Sequence, residues 1–186
     1  MPTNAIIGRE PRAALTGFLL VNIAQPHHIN LHQSENFPIM ELSGTYRFAS
    51  PPLAVWTALN DPEILAACLP GCERLEPLGD DRFRAEIAMA VAAISGRYNV
   101  TVAITEKNPP HAYRLTVEGS GKAGFMKGDA VIVLREDAGA TVVSVNGSGE
   151  VGGLIARVGQ RLLGSVSKMM MDRFFEALRN SVEQSD

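Results

Sequence analysis

Two cysteines, four histidines and three tyrosines are the side chains of this 186-residue sequence with reactivity beyond simple charge. Cys68 and Cys72 stand four apart in Cys-Leu-Pro-Gly-Cys. A thiolate zinc site needs four ligands and no second cysteine pair exists, so both read as small buried apolar residues. A disulfide between them would close too short a loop to matter. His27, His28 and His32 cluster within the first 39 residues, where no regular period supplies the support that orients a metal ligand. They read as solvated chain, and no metal site is expected. His111 follows a Pro-Pro turn, and no Ser-His-Asp or Cys-His set assembles around it. Glu86, Glu106, Glu118, Asp129 and Arg135 alternate to the outward side of their strands, so no inward carboxylate pair is expected. An enzyme reading would need Tyr98 or Tyr113 to point into a cavity with a perturbed pKa.

The glycine-rich stretch Gly119-Ser-Gly-Lys-Ala-Gly124 fits neither phosphate-binding pattern, and it joins strand to strand with no helix N-terminus to hold an anion. It reads as a hairpin loop. The formal charge is -3, and no Lys/Arg stripe is present to neutralise phosphates, which argues against nucleic acid as a partner. No run reaches the length of a membrane-spanning helix. Ala13–Ala24 follows two arginines like a leader core, but Thr16, Gly17 and Asn22 interrupt it and Glu10 and Pro11 precede it. The expectation is a cytoplasmic protein.

The elements that must position any site begin at Met40. Residues 1–39 are expected to be a poorly structured extension, or the product of a mis-assigned start, and 40–186 the folded domain. Met40–Phe48 alternates as a strand. Ser50-Pro51-Pro52 then starts a helix with Ser50 as its cap, and Asn60-Asp61-Pro62 starts a second, ended by Leu69-Pro70-Gly71. Six further strands are expected at 72–78, 82–91, 96–107, 112–120, 125–136 and 140–150, separated by Gly, Asn, Asp and Pro turn residues. Phe83, Ala85, Ile87, Met89 and Val91 share one face, as do Ala130, Ile132 and Leu134.

From Glu150 to Val182 no proline occurs, and Val151, Ile155, Val158, Leu162, Val166 and Met169 recur at helical steps. One long helix is expected there. Gly159 and Gly164 would each cost it about 1 kcal/mol, which suggests a close approach of sheet or ligand. Leu163, Met170, Phe174 and Leu178 lie farther round, so a bend near Gly164, or two packing surfaces, is expected. The fold class is therefore α+β: a seven-stranded curved antiparallel sheet, two short helices after the first strand, and a long C-terminal helix. This is the helix-grip architecture, which leaves an apolar cavity as the default ligand site. The expected lining is Phe83, Met89, Tyr113, Met126, Val158, Leu162 and Met169. No catalytic residue is assigned.

Three stretches stand out: Leu59-Asn-Asp-Pro-Glu-Ile-Leu-Ala-Ala-Cys-Leu-Pro-Gly-Cys72, Gly128-Asp-Ala-Val-Ile-Val-Leu134 and Gly149-Glu-Val-Gly-Gly-Leu-Ile-Ala-Arg-Val-Gly-Gln-Arg-Leu163. They resemble the G-subunit family of carbon monoxide dehydrogenase, within the START-like, birch-pollen-allergen-like superfamily. The resemblance covers residues 40–184. It implies a non-catalytic accessory protein for a molybdenum hydroxylase, binding a quinone or other isoprenoid lipid, delivering the electron acceptor or recruiting the enzyme to the membrane. Some relatives carry a membrane-attaching extension after the helix. None follows here, so the expected contact with the inner face of the cell membrane is peripheral, through Phe174-Phe175 or the loops. A cyclase or dehydratase acting in the same cavity, and a pure assembly factor, are the alternatives.

Overall fold

The alternating runs form one antiparallel sheet in the computed structural model, which describes residues 37–91 and 94–184. The three-histidine segment lies outside the described residues. The strands are β1 (Ile39–Phe48), β2 (Cys72–Gly79), β3 (Arg82–Met89), β4 (Gly96–Asn108), β5 (Ala112–Gly121), β6 (Gly124–Asp137) and β7 (Ala140–Gly153). Their spatial order is β1-β7-β6-β5-β4-β3-β2. Strands two to seven thus form a meander, and the first pairs with the last. Short turns fix this order, because antiparallel neighbours need no crossover.

Helices α1 (Pro52–Ala58) and α2 (Pro62–Cys68) follow β1. Asp61 caps α2, accepting from the amides of Glu63 at 2.8 Å and Ile64 at 3.2 Å. Ser50 does not cap α1; Pro51 holds that position without a side-chain bond. Ser50 is instead buried, and its carbonyl accepts the Thr141 hydroxyl at 2.7 Å, tying the start of α1 to β7.

The expected long helix divides. β7 stays paired with β6 as far as Gly153, a 3-10 turn spans Ile155–Val158, and Gly159 breaks the chain at φ 85°. Only then does α3 (Gln160–Glu183) begin, about 36 Å long at helical rise. The apolar period continues from strand into helix, but glycines at 152, 153 and 159 disfavour helix and permit the left-handed turns at 153 and 159. The bend expected at Gly164 is therefore at Gly159. A Cβ at either Gly159 or Gly164 would meet nothing within 4 Å, so no close approach explains them.

α3 runs beside β1 in the same direction. Gln160 Nε2 donates to the Ile39 carbonyl at 3.4 Å, the Tyr46 hydroxyl to Asp172 at 2.8 Å, and Arg179 Nε to the Arg47 carbonyl at 2.9 Å. Its closest backbone approaches are to β1 and α2, and then to α1. The core accordingly forms two clusters. One gathers Phe48, Trp56, Tyr113, Leu134, Val143, Phe175 and Leu178 under α1 and α2. The other gathers Met40, Ala85, Tyr98, Val151, Ile155, Leu163 and Val166 near the start of α3. Half-buried Leu75 and Val102 adjoin both.

Candidate ligand-binding site

Cross-strand partners share a face of a sheet, so the register specifies the floor between the two clusters. One row reads Met40, Gly149, Gly128, Val117; the next reads Leu42, Gly147, Ala130, Leu115. Four of these eight positions carry no side chain beyond a methyl. Bulky inward residues resume on either side, as Ile132 and Leu134 in β6 and as Val143, Val145 and Val151 in β7. The small residues also let β6 and β7 coil tightly: a Cβ on Gly147 would lie 2.3 Å from the Asp129 carbonyl oxygen.

Opposite this floor, Leu162, Met169, Met170 and Phe174 of α3 are only half-buried, although they face the interior side. The same holds on the sheet for Ile87, Met89, Val102, Leu115, Val117 and Ala130. Inward apolar residues that keep solvent exposure mark the strip between helix and middle strands as less tightly covered than the two clusters on either side, and this strip is the candidate slot. Its wall is hydrocarbon, thioether and one phenyl ring. Such a surface suits an apolar guest.

The seven expected lining residues do not form one patch. Phe83 and Tyr113 belong to the cluster under α1 and α2. Met89, Val158, Leu162 and Met169 border the other cluster. Met126 occupies an inward register position but is 36% exposed, at the rim. The glycine and alanine floor is not among the residues expected from sequence, and it defines the slot more directly than they do.

Polar groups near the slot are few. Tyr98 is buried, and its hydroxyl donates to the Ile94 carbonyl at 2.8 Å. Burial pushes its ionisation up, as it does more strongly for Tyr113. Tyr113 is 5% exposed, with its ring edge-on to Trp56 at 5.5 Å. Tyr46 is also pushed up, first by burial and then by its bond to Asp172; its ring stacks on Phe175 at 4.0 Å. Asp172 is held below the usual carboxylate range by Lys168 and then by Tyr46. That trio fastens α3 to β1. His111 is exposed, and Glu86, Glu106, Glu118 and Asp129 face outward. No grouping of three metal-ligating side chains occurs among the described residues. Cys68 and Cys72 are free thiols pushed up by burial, which disfavours the reactive thiolate.

Phe175, one of the pair expected to touch the membrane, is core rather than surface, and Phe174 is half-buried against the same cluster. Leu154, 54% exposed, protrudes instead where β7 meets α3. Exposed Lys122, Arg157 and Arg161 stand in the neighbouring loops and the first turn of α3, and no Asp or Glu occurs from Val151 to Met171. No described helix is long and apolar enough to cross a membrane. Two open depressions lie outside the slot. One of about 650 Å³ is bordered by Arg47, Arg179 and Glu183 at the far end, and one of about 270 Å³ by the outward Thr116, Glu118 and Lys127 together with Val117, Gly128 and Gly149 of the floor strands. Charged, solvent-open walls make both weaker sites for an apolar guest than the slot.

A curved antiparallel sheet gripping one long helix over an apolar slot defines a helix-grip protein. Among solved structures, the chain is similar to a conserved protein from Geobacillus kaustophilus at 34% identity and TM-score 0.76, over 78% of this chain and 97% of that one. A Mycobacterium smegmatis protein at 16% identity (TM-score 0.61, covering 79% and 93%) shares the fold. So does Ara h 8.0201 at 14% (TM-score 0.57, covering 79% and 99%). No curated protein matches. The family model for the carbon monoxide dehydrogenase G-subunit (CoxG) matches residues 44–183, and the chain belongs to that family.

Proposed function

We propose that this protein is a non-catalytic carrier that holds an apolar isoprenoid, a quinone or similar lipid, in the slot between α3 and the middle strands. The observation that carries this reading is the floor Gly149, Gly128, Gly147 and Ala130 facing half-buried Leu162, Met169 and Met170. Small residues under a helix that is not seated on them leave room that a guest's hydrocarbon would fill. Each Å² of apolar surface removed from water there contributes about 25 cal/mol. Family membership supports a molybdenum hydroxylase of the carbon monoxide dehydrogenase type as the enzyme served. Service would consist of delivering the electron acceptor or recruiting the enzyme to the membrane.

Leu154 with Arg157, Arg161 and Lys122 supports peripheral contact with an anionic membrane at the end where β7 meets α3. An apolar residue inserts while cations meet lipid headgroups. The wall has no carboxylate or histidine, so the cyclase or dehydratase alternative would have to use Tyr113, whose hydroxyl burial holds protonated. The test is a pull-down from the host with wild type and Ala130→Leu. A carrier retains the hydroxylase in both and loses its lipid in the variant; loss of neither would favour a pure assembly factor.

A further inference from the structure

Tyr113 is the polar group that the apolar slot leaves unused. It stands at an inward position of β5, opposite Ile132 of β6 and next along its strand to half-buried Leu115. The residue is 5% exposed, and Trp56 covers its ring edge-on. Its hydroxyl has no hydrogen-bond partner among the described residues, whereas the hydroxyl of Tyr98 has one at 2.8 Å and that of Tyr46 another at 2.8 Å. A donor sealed from solvent and unpaired costs about 1–3 kcal/mol, whereas one that keeps accessible surface can be hydrated in the free protein and remains available to a ligand. Among the described residues, Asn60 Oδ1 is the one side-chain oxygen or nitrogen both sealed from solvent and unpaired. The Tyr113 hydroxyl is unpaired but not sealed, so it reaches accessible space from the concave side of the sheet.

We propose that the Tyr113 hydroxyl is the polar anchor of the slot, donating a hydrogen bond to an uncharged acceptor oxygen, a carbonyl, at the end of the guest that lies deepest. This rests on the carrier reading and narrows it: the guest is an apolar molecule with a carbonyl-bearing head, not a plain hydrocarbon. A phenol in an apolar surrounding suits that task. Burial holds it protonated, so it donates and does not ionise.

The test uses two dyes on the full chain: an acyl-dimethylaminonaphthalene, whose emission reports hydrogen bonding at its carbonyl, and diphenylhexatriene, which has no acceptor. Wild type binds both, with the acyl dye showing the hydrogen-bonded emission. Tyr113→Phe keeps the ring and removes one hydroxyl. It weakens the acyl dye roughly fivefold, the equivalent of one hydrogen bond, shifts its emission to the blue, and leaves diphenylhexatriene unchanged. The thermal midpoint of the variant, equal to or above wild type, establishes that it folds. Equal affinity and emission of the acyl dye in both proteins overturns the anchor and leaves the slot standing. Failure of the acyl dye alone to bind wild type also overturns the anchor, and failure of both dyes overturns the carrier reading itself.

Discussion

Adding volume to an alanine distinguishes an open slot from a filled core. Ala130 lies in the floor and is half-buried; Ala85 faces the same interior from β3 but is 1% exposed, within a solid cluster. Replacing either with leucine adds three carbons. At Ala85 these must displace neighbours, and overpacking of that kind costs about 1–3 kcal/mol. For a domain of this size, that lowers the thermal midpoint by roughly 2–12 °C. At Ala130 the new side chain enters the slot. Burying up to three carbons at about 0.8 kcal/mol each opposes about 0.5–1 kcal/mol of lost rotamer freedom and any local crowding. The expected net change runs from about 1 kcal/mol of destabilisation to about 2 kcal/mol of stabilisation, according to how much of the side chain is buried. Thermal denaturation of the two variants beside wild type is the assay, with diphenylhexatriene fluorescence as a second reading. Ala130→Leu should be nearly as stable as wild type or more so, yet bind the dye at least tenfold more weakly. Equal destabilisation by the two substitutions would mean that the interior is filled and the slot does not exist.

In the cluster under α1 and α2, Leu178 is 0% exposed, and Leu178→Ala should cost about 2–5 kcal/mol in urea denaturation, because a cavity remains there. Stability should also fall in alkali. Tyr113 is pushed above its ordinary value, so the stability it contributes is complete below about pH 10 and is lost as pH rises toward its folded pKa. Melting curves from pH 8 to 11 should show that decline, and Tyr113→Phe should reduce it. Reversing Arg157 and Arg161 to glutamate should weaken sedimentation with phosphatidylserine vesicles roughly 30-fold or more, at about 1 kcal/mol for each basic residue removed. Binding unchanged by the double reversal would place any membrane contact elsewhere.

Much of the fold is legible in the sequence because its punctuation is local. Gly79-Asp80-Asp81, Asn108-Pro109-Pro110 and Asp137-Ala138-Gly139 end strands wherever they occur, and Asp61-Pro62 starts a helix by its own hydrogen bonds. The helical period from Val151 misleads because a strand edge can capture residues with poor helix propensity. β6 pairs with Gly152 and Gly153 before α3 begins. Ser50 misleads in the same way: a serine before two prolines has the form of a cap, but tertiary packing uses its carbonyl for Thr141. For the site, period-two alternation identifies inward residues; of the large apolar side chains it points to, Met89, Leu162 and Met169 border the slot, while Phe83 and Tyr113 sit in the cluster under α1 and α2. The legible signal is the dwindling of side chains along the inward series Leu134, Ile132, Ala130, Gly128 and Val143, Val145, Gly147, Gly149. The unpaired hydroxyl of Tyr113 has no sequence signal, since pairing depends on what lies across the interior.

The most direct measurement is native mass spectrometry of the full chain purified from membranes of its own host, alongside Ala130→Leu. The carrier account predicts an added mass on wild type that fragments as an isoprenoid with a carbonyl-bearing head, and bare protein for the variant. Wild type that emerges bare after gentle extraction, or the same added mass on both proteins, would contradict it.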